Sequence, residues 1–311
     1  MPRWIALFVL YGLLTATSGI APAHADDAAA PFAAPTTQER LRLGEIDLIG
    51  RHIRPDEAGL STVVIVHDTL GAFDDPLIRG LQAALTERGV ATLAINLSLG
   101  ESGREIAFDC NQRHMHRHVD AIDEIDAWVD WLLGEGLGPV FLAGHGRGGA
   151  QVAWHLARRA NNKVAGAILL EPMGWTPRQA DAEYRARYAA GLAALLTQIA
   201  GRQPTDIVQN VPFLHCGAVD ATQDSIRSYY GAEPMRDTPT ALGEVTTPTI
   251  VLTAENAARS PEDDVVDRLL KLDRPNVVIR EIKSADNQFS ETALVETADA
   301  IDAYLRSLLP R

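Results

Sequence analysis

The sequence predicts an α/β fold in which a mostly parallel sheet is flanked by helices. Three observations carry that expectation. Runs such as "TVVIVH" (62–67) and "VAGAILLEP" (164–172) are almost wholly apolar, the mark of strands buried on both faces. Stretches of helical spacing lie between them, and strand–helix alternation brings successive strands together in parallel. The 311 residues suit one large α/β domain once an N-terminal segment is set aside.

That segment has three parts: the positive start "MPR", the apolar core "WIALFVLYGLL", and small residues leading to Ala23-His24-Ala25 before an acidic "DD". The arrangement is that of a cleaved signal peptide over residues 1–25, which places the mature chain in the periplasm or outside the cell. A membrane anchor would need about 18–20 continuous apolar residues, more than this core offers. Every later apolar run is short and interrupted by charge, so no span is expected after cleavage. Residues 26–37, "DDAAAPFAAPTT", are rich in Ala and Pro and read as a disordered leader, so the domain itself covers 38–311.

The elements follow in order. After the strand at 62–67 comes "DPLIRGLQAALTERG" (75–89), helically spaced and closed by glycine. "VATLAINL" (90–97) is the next strand, followed by a helix from about His116 to Leu133. Trp128 and Trp131 stand on it at core spacing with Ile122, Ile125 and Leu132; a ligand platform is the alternative. "PVFLA" (139–143) then leads into a turn and a helix from about Gly149, and the strand at 164–172 comes next. Residues 173–245 break the rhythm with the helical "EYRARYAAGLAALLTQIAG" and a mixed stretch, and read as a helical cap inserted over one end of the sheet. Alternation resumes with "PTIVLTA" (248–254), a helix at 261–272, "NVVIREI" (276–282) and a terminal helix from about 291.

A formal charge of −13 argues against nucleic acid or anionic lipid as a partner. Cys110 and Cys216 are the two cysteines. In an oxidising compartment an even pair favours a disulfide, the alternative being two separate buried thiols.

The turn at Gly144-His145-Gly146-Arg147-Gly148 stands between a strand and a helix, where the pattern G-x-S-x-G presents a nucleophilic serine. With His67-Asp68-Thr69-Leu70-Gly71 upstream, "TAENAARSP" and Ser284-Ala285-Asp286-Asn287-Gln288-Phe289 downstream, the chain resembles the α/β-hydrolase superfamily over nearly all of 40–310. The resemblance implies a nucleophile at the elbow, an acid after a later strand and a histidine after the last one. Those three slots hold Gly146, Ala257 (anchored on Pro261) and Asn287. Glycine and alanine supply neither nucleophile nor charge, and the asparagine amide cannot shuttle a proton near neutral pH. Asp68 stands where related sequences often have glycine; a carboxylate there would oppose an oxyanion, unless it points to solvent. The resemblance therefore implies an exported member with a degenerate triad, in which no catalytic residue is expected.

Displaced chemistry has two openings. His114, His116 and His118 alternate within "CNQRHMHRHVD" and could hold a metal or, alternatively, line the cleft and hydrogen-bond; neither a metal nor a cofactor is expected. Cys216 beside His215, or Ser98 and Ser102, could supply a substitute nucleophile. Residues expected to contact a ligand are His67, Asp68, Thr69, His114, His118, His145 and Arg147, the last because a helix N-terminus favours an anion. The expected role is binding, scaffolding or regulation, with a small molecule or a protein as partner. An esterase-like hydrolase using a non-standard nucleophile or a His-bound metal is the alternative.

Overall fold

A computed structural model describes residues 1, 34–55, 61–159, 163–259, 263–290 and 292–309. Residues 2–25 of the expected signal peptide, the leader up to residue 33 and Pro261 lie outside them. Apart from Met1, the described residues fall in one unit, Phe32–Arg311.

The first two strands, β1 (Thr36–Leu43) and β2 (Ile46–Ile53), form an antiparallel hairpin that the hydrophobic pattern does not announce. The leader expected to run to residue 37 therefore gives way to strand at Thr36. The run 62–67 supplies β3 (Thr62–Val66), with every residue buried. Next come α1 (Pro76–Thr86), β4 (Ala91–Asn96), α2 (Asp120–Gly134), β5 (Val140–His145), α3 (Arg147–Arg158) and β6 (Val164–Leu170). Between β6 and the next sheet strand lie α4 (Pro177–Tyr188), α5 (Leu192–Ile199), the hairpin β7 (Ile207–Phe213) and β8 (Cys216–Thr222), α6 (Gln223–Tyr230), a 3-10 turn (Pro234–Arg236) and α7 (Thr238–Glu244). The chain then completes β9 (Thr249–Ala254), α8 (Val265–Leu270), β10 (Val277–Ile282) and α9 (Thr292–Leu308).

The main sheet has the order β1-β2-β4-β3-β5-β6-β9-β10. From β4 to β10 every neighbouring pair is parallel, while β2 runs antiparallel to both β1 and β4. Residues on α1 and α9 pack on one face with Phe141 and Ile168 of the sheet. Residues on α2 and α3 pack on the other with Val64 and Leu142, in a core continuous with the segment between β6 and β9. Trp128 is fully buried in that second core and crosses Trp131 edge to face at 5.6 Å, so this pair is packing rather than a ligand platform.

One boundary differs in a way that matters for the site. The helix expected from His116 starts at Asp120, because the preceding segment is drawn out against the β7–β8 hairpin. The His114 N–H donates to the Asp220 carbonyl at 2.9 Å, and the Thr222 N–H donates to the His114 carbonyl at 2.9 Å. Long-range pairing satisfies backbone groups that a helix would otherwise satisfy.

Candidate ligand-binding site at a glycine elbow

Gly146 joins β5 to α3 with φ +54° and ψ −116°, a conformation that costs a side-chain-bearing residue energy and costs glycine little. Its N–H donates to the Leu170 carbonyl at 3.0 Å and its carbonyl accepts from Met173 at 3.0 Å, which pins the elbow to the end of β6. Gly148 is needed for a different reason. A Cβ there would lie 2.4 Å from the His67 carbonyl oxygen, so only glycine lets α3 approach the β3 loop so closely.

The space above Gly146 is filled by Asp68. A Cβ built on Gly146 would meet Asp68 Oδ1 at 2.4 Å and its Cγ at 2.5 Å. Asp68 Oδ1 accepts from the Arg147 N–H at 2.7 Å and from the Thr69 hydroxyl at 3.2 Å. In α/β-hydrolase elbows the N–H after the nucleophile is one of the two oxyanion donors. Here the carboxylate sits on that donor. Burial would raise the Asp68 carboxyl, but His145, the hydrogen bonds from Arg147 and Thr69, and the Arg147 charge outweigh it and hold it below the usual carboxylate range. Asp68 thus turns inward onto the elbow rather than to solvent.

The other two slots are equally quiet. Asn287 Oδ1 accepts from the Ala258 N–H at 2.7 Å, and the Asn287 carbonyl accepts from His145 Nε2 at 2.8 Å. Asn287 therefore ties the loop after β10 to the loop carrying Ala257 through its side chain and to the end of β5 through its carbonyl. Glu255, two residues from that slot, accepts from the Ser284 N–H at 2.8 Å and from Lys283 at 3.2 Å. Asp286 caps its own loop, accepting from Gln288, Ser290 N–H and the Ser290 hydroxyl. Two residues that the sequence did not single out complete this cleft. Glu171, at the end of β6, pairs with Arg259 and accepts from the Ala254 N–H at 2.7 Å.

His67 is a scaffold residue. Its Nδ1–H donates to the Asp68 carbonyl at 2.7 Å, leaving Nε2 to accept from the Leu97 N–H at 3.2 Å and from Arg104 at 2.9 Å. Burial and the Arg104 charge push it down to about 3, so it is neutral at pH 7. Thr69 accepts from Arg147 Nε at 2.9 Å and thereby aims that guanidinium.

His114, His116 and His118 lie in an aromatic cluster beneath the cap hairpin. His114 Nδ1 and His116 Nε2 are 3.2 Å apart, His116 Nδ1 contacts the Tyr229 hydroxyl at 2.8 Å, and His118 stacks flat on the Tyr229 ring at 5.1 Å. Burial drives His114 to about 4 and the other two well below the ordinary value. Among the described residues no three His, Cys, Asp or Glu side chains converge as a metal cage would require. The alternative nucleophiles, Cys216, Ser98 and Ser102, are engaged elsewhere. Cys110 and Cys216 form a disulfide, with Cα atoms 5.6 Å apart, so the thiol beside His215 does not exist. The Ser98 hydroxyl donates to Glu124 Oε1 at 2.5 Å, and the Ser102 hydroxyl accepts from the Asp47 N–H at 2.9 Å. Neither serine lines the cleft around Gly146.

A second cavity opens from this cleft under the cap, the two sharing Met173, Gln179 and Glu183. Of the expected contact residues, His118 and Arg147 line it, joined by Trp175, Tyr184, Tyr230 and Arg236. Arg236 carries no sequence signal, being a lone arginine in a 3-10 turn.

The sequence profile described as the Alpha/beta hydrolase family matches residues 63–299. No curated protein matches the sequence. Among solved structures, Est1E from Butyrivibrio proteoclasticus is similar, with TM-score 0.62 and 16% identity over 87% of this chain and 98% of that one. A Paleococcus ferrophilus monoacylglycerol lipase gives TM-score 0.58 and 17% identity over 84% and 99%. A dienelactone hydrolase from Anabaena variabilis gives TM-score 0.54 and 18% identity over 89% and 99%. At such identities the likeness is one of fold. With three quarters of its length matched by the family profile, and with this sheet and elbow, the chain belongs to the alpha/beta hydrolase family.

Proposed function

We propose that this family member binds a small molecule between the elbow and the cap and does not hydrolyse esters through a serine nucleophile. One observation carries the reading: the Asp68 carboxylate occupies the space of the missing side chain and blocks the Arg147 N–H. An acyl substrate needs that N–H free for the developing oxyanion, and a fixed negative charge there raises the barrier rather than lowering it. Losing one triad member costs on the order of 10⁴–10⁶ in turnover in well-studied enzymes. Here all three slots lack the required group. The signal-like start and the disulfide support an exported setting.

The rival, an active hydrolase with a substitute group, draws support from fold relatives that are a lipase and a dienelactone hydrolase by name. Purified protein is therefore expected to leave p-nitrophenyl acetate, butyrate and octanoate at their buffer rates. Steady p-nitrophenolate release above background, lost on Asp68→Ala or His145→Gln, would overturn the proposal.

A double-mutant cycle tests the elbow itself. Gly146→Ser is expected to lower stability by about 2–3 kcal/mol, from crowding against Asp68 added to strain at positive φ. Gly146→Ser in an Asp68→Gly background is expected to cost at least about 1 kcal/mol less, read as a coupling in urea melts. Additive costs would show that Asp68 does not sit over position 146.

A further inference from the structure

Arg236 is 2% exposed, yet only its Nη1 has a partner, donating to the Ser228 carbonyl at 3.1 Å. Its Nε and Nη2 have none. Those two nitrogens form the side-on edge of a guanidinium, the edge that matches both oxygens of a carboxylate. Among the described residues no carboxylate oxygen lies within 4.0 Å of the guanidinium nitrogens of Arg236 or Arg147, although Asp68 takes the Arg147 backbone N–H. This is notable in a chain with 41 acidic and 28 basic residues.

The two cations are also close to each other. The Arg147 charge and, more strongly, burial pull Arg236 down to about 10, which still leaves it charged at pH 7. Glu233 lends Arg236 some opposing charge but makes no ion pair with it, so a buried cation is left without a carboxylate on its free edge, and a second positive charge beside it adds to the cost. The Trp175 ring, 4.4 Å from the Arg236 guanidinium carbon, offsets only part of that, as does the Tyr229 ring 5.4 Å from Arg147.

The rest of the cavity wall is aromatic. Tyr184 packs edge to face on Tyr188 at 4.8 Å and on Tyr230 at 5.5 Å, which builds a wall for a flat apolar body. Among the described residues Glu183 is the one carboxylate in the lining; it accepts from Gln179 Nε2 at 3.0 Å, and burial raises it against the opposing pull of the Arg147 charge. His118 contributes two buried ring nitrogens without partners.

We propose that the cavity under the cap is a binding site for a small aromatic carboxylic acid, its carboxylate held between the guanidinium groups of Arg147 and Arg236 and its ring against the tyrosine wall. This rests on the binding role proposed above and names the ligand class for it. The free Arg236 edge lies beneath the surface, so an incoming carboxylate pairs with it by displacing a neighbouring side chain.

Isothermal titration of the whole protein with benzoate and phenylacetate tests the site, with benzamide, phenylacetamide and inorganic phosphate as comparisons. The acids are expected to bind at least tenfold more tightly than their amides and to raise Tm, whereas phosphate is expected to bind at least tenfold more weakly than the acids. Arg147→Gln, whose side chain is only partly buried, is expected to weaken acid binding at least tenfold, as is Arg236→Gln. If Arg236→Gln fails to fold, Arg147→Gln with the amide comparison decides alone. Equal affinity for acid and amide, unchanged affinity in Arg147→Gln, absence of binding by both acids, or phosphate binding as tightly as the acids would each overturn the proposal. The ester assay fails independently: ester turnover together with acid binding sinks the non-hydrolytic reading and leaves this one standing, while neither turnover nor acid binding does the reverse.

Discussion

Taking the protein from pH 7 to pH 5 is expected to remove on the order of 5 kcal/mol of folding stability, enough to unfold a typical domain near that pH. The cause is a group of buried neutral histidines. His67 and His114 are held at about 3 and about 4 by burial, and burial also holds His116 and His118 well below the ordinary value. All four are at most 1% exposed. Unfolding returns each to about 6.5. Between roughly pH 4 and 6.5 the unfolded chain therefore binds more protons than the folded one, and stability rises with pH across that window. At pH 5 His67 and His114 each cost roughly 2 kcal/mol, and His116 and His118 add in the same direction.

Buried carboxyls oppose them, Glu124 most strongly, with Asp75, Glu183 and Asp263 raised in the same direction. Burial raises the Glu124 carboxyl to about 7. The folded state then holds its proton where the unfolded state has released it, so stability from Glu124 is present at low pH and lost as pH rises from about 4.5 to 7. It returns roughly 2 kcal/mol at pH 5, leaving the histidines in control. Urea melts at half-unit steps from pH 7 to 4.5 should show a slope of about two to four protons, and His116→Gln should lower it by about one. A slope below one proton would show that these rings are hydrated or already charged in the native state.

The same residues show how far the sequence could be read. Strands β3 to β6 and β9 are buried on both faces, so their continuous apolar runs were legible. The hairpin of β1 and β2 was not, because "TTQERLRL" lies largely exposed at the sheet edge and has no buried face to pattern. The helix start at Asp120 was hidden because what claims the backbone of His114 is a hairpin about a hundred residues downstream. At the site, the glycine spacing announced the elbow, and the position of Asp68 announced opposition to an oxyanion. That its carboxylate lies on Gly146 and takes the Arg147 N–H is a matter of tertiary geometry. Arg236 was illegible for the same reason: its burial is set by Trp175 and the cap, not by its neighbours in the chain.

Breaking the disulfide should have an effect of similar size but confined in space. Cys110 and Cys216 are 106 residues apart, and closing a loop of about a hundred residues in the unfolded chain contributes about 4.7 kcal/mol in the chain-entropy account. Cys110→Ala/Cys216→Ala is therefore expected to lower stability by about 3–5 kcal/mol and Tm by on the order of 10 °C. The bridge anchors the start of β8, whose hairpin pairs with the backbone of His114 and keeps His114 and His116 against Phe213. Amide exchange should accordingly rise first in β7, β8 and residues 110–118, with β3 and β5 protected until global unfolding. Acid binding in the cap cavity should weaken in parallel, because Tyr229 and Tyr230 on α6 follow β8 directly and support the wall of that cavity. Equal exchange in the hairpin and the central strands would instead make the bridge a brace of the whole domain.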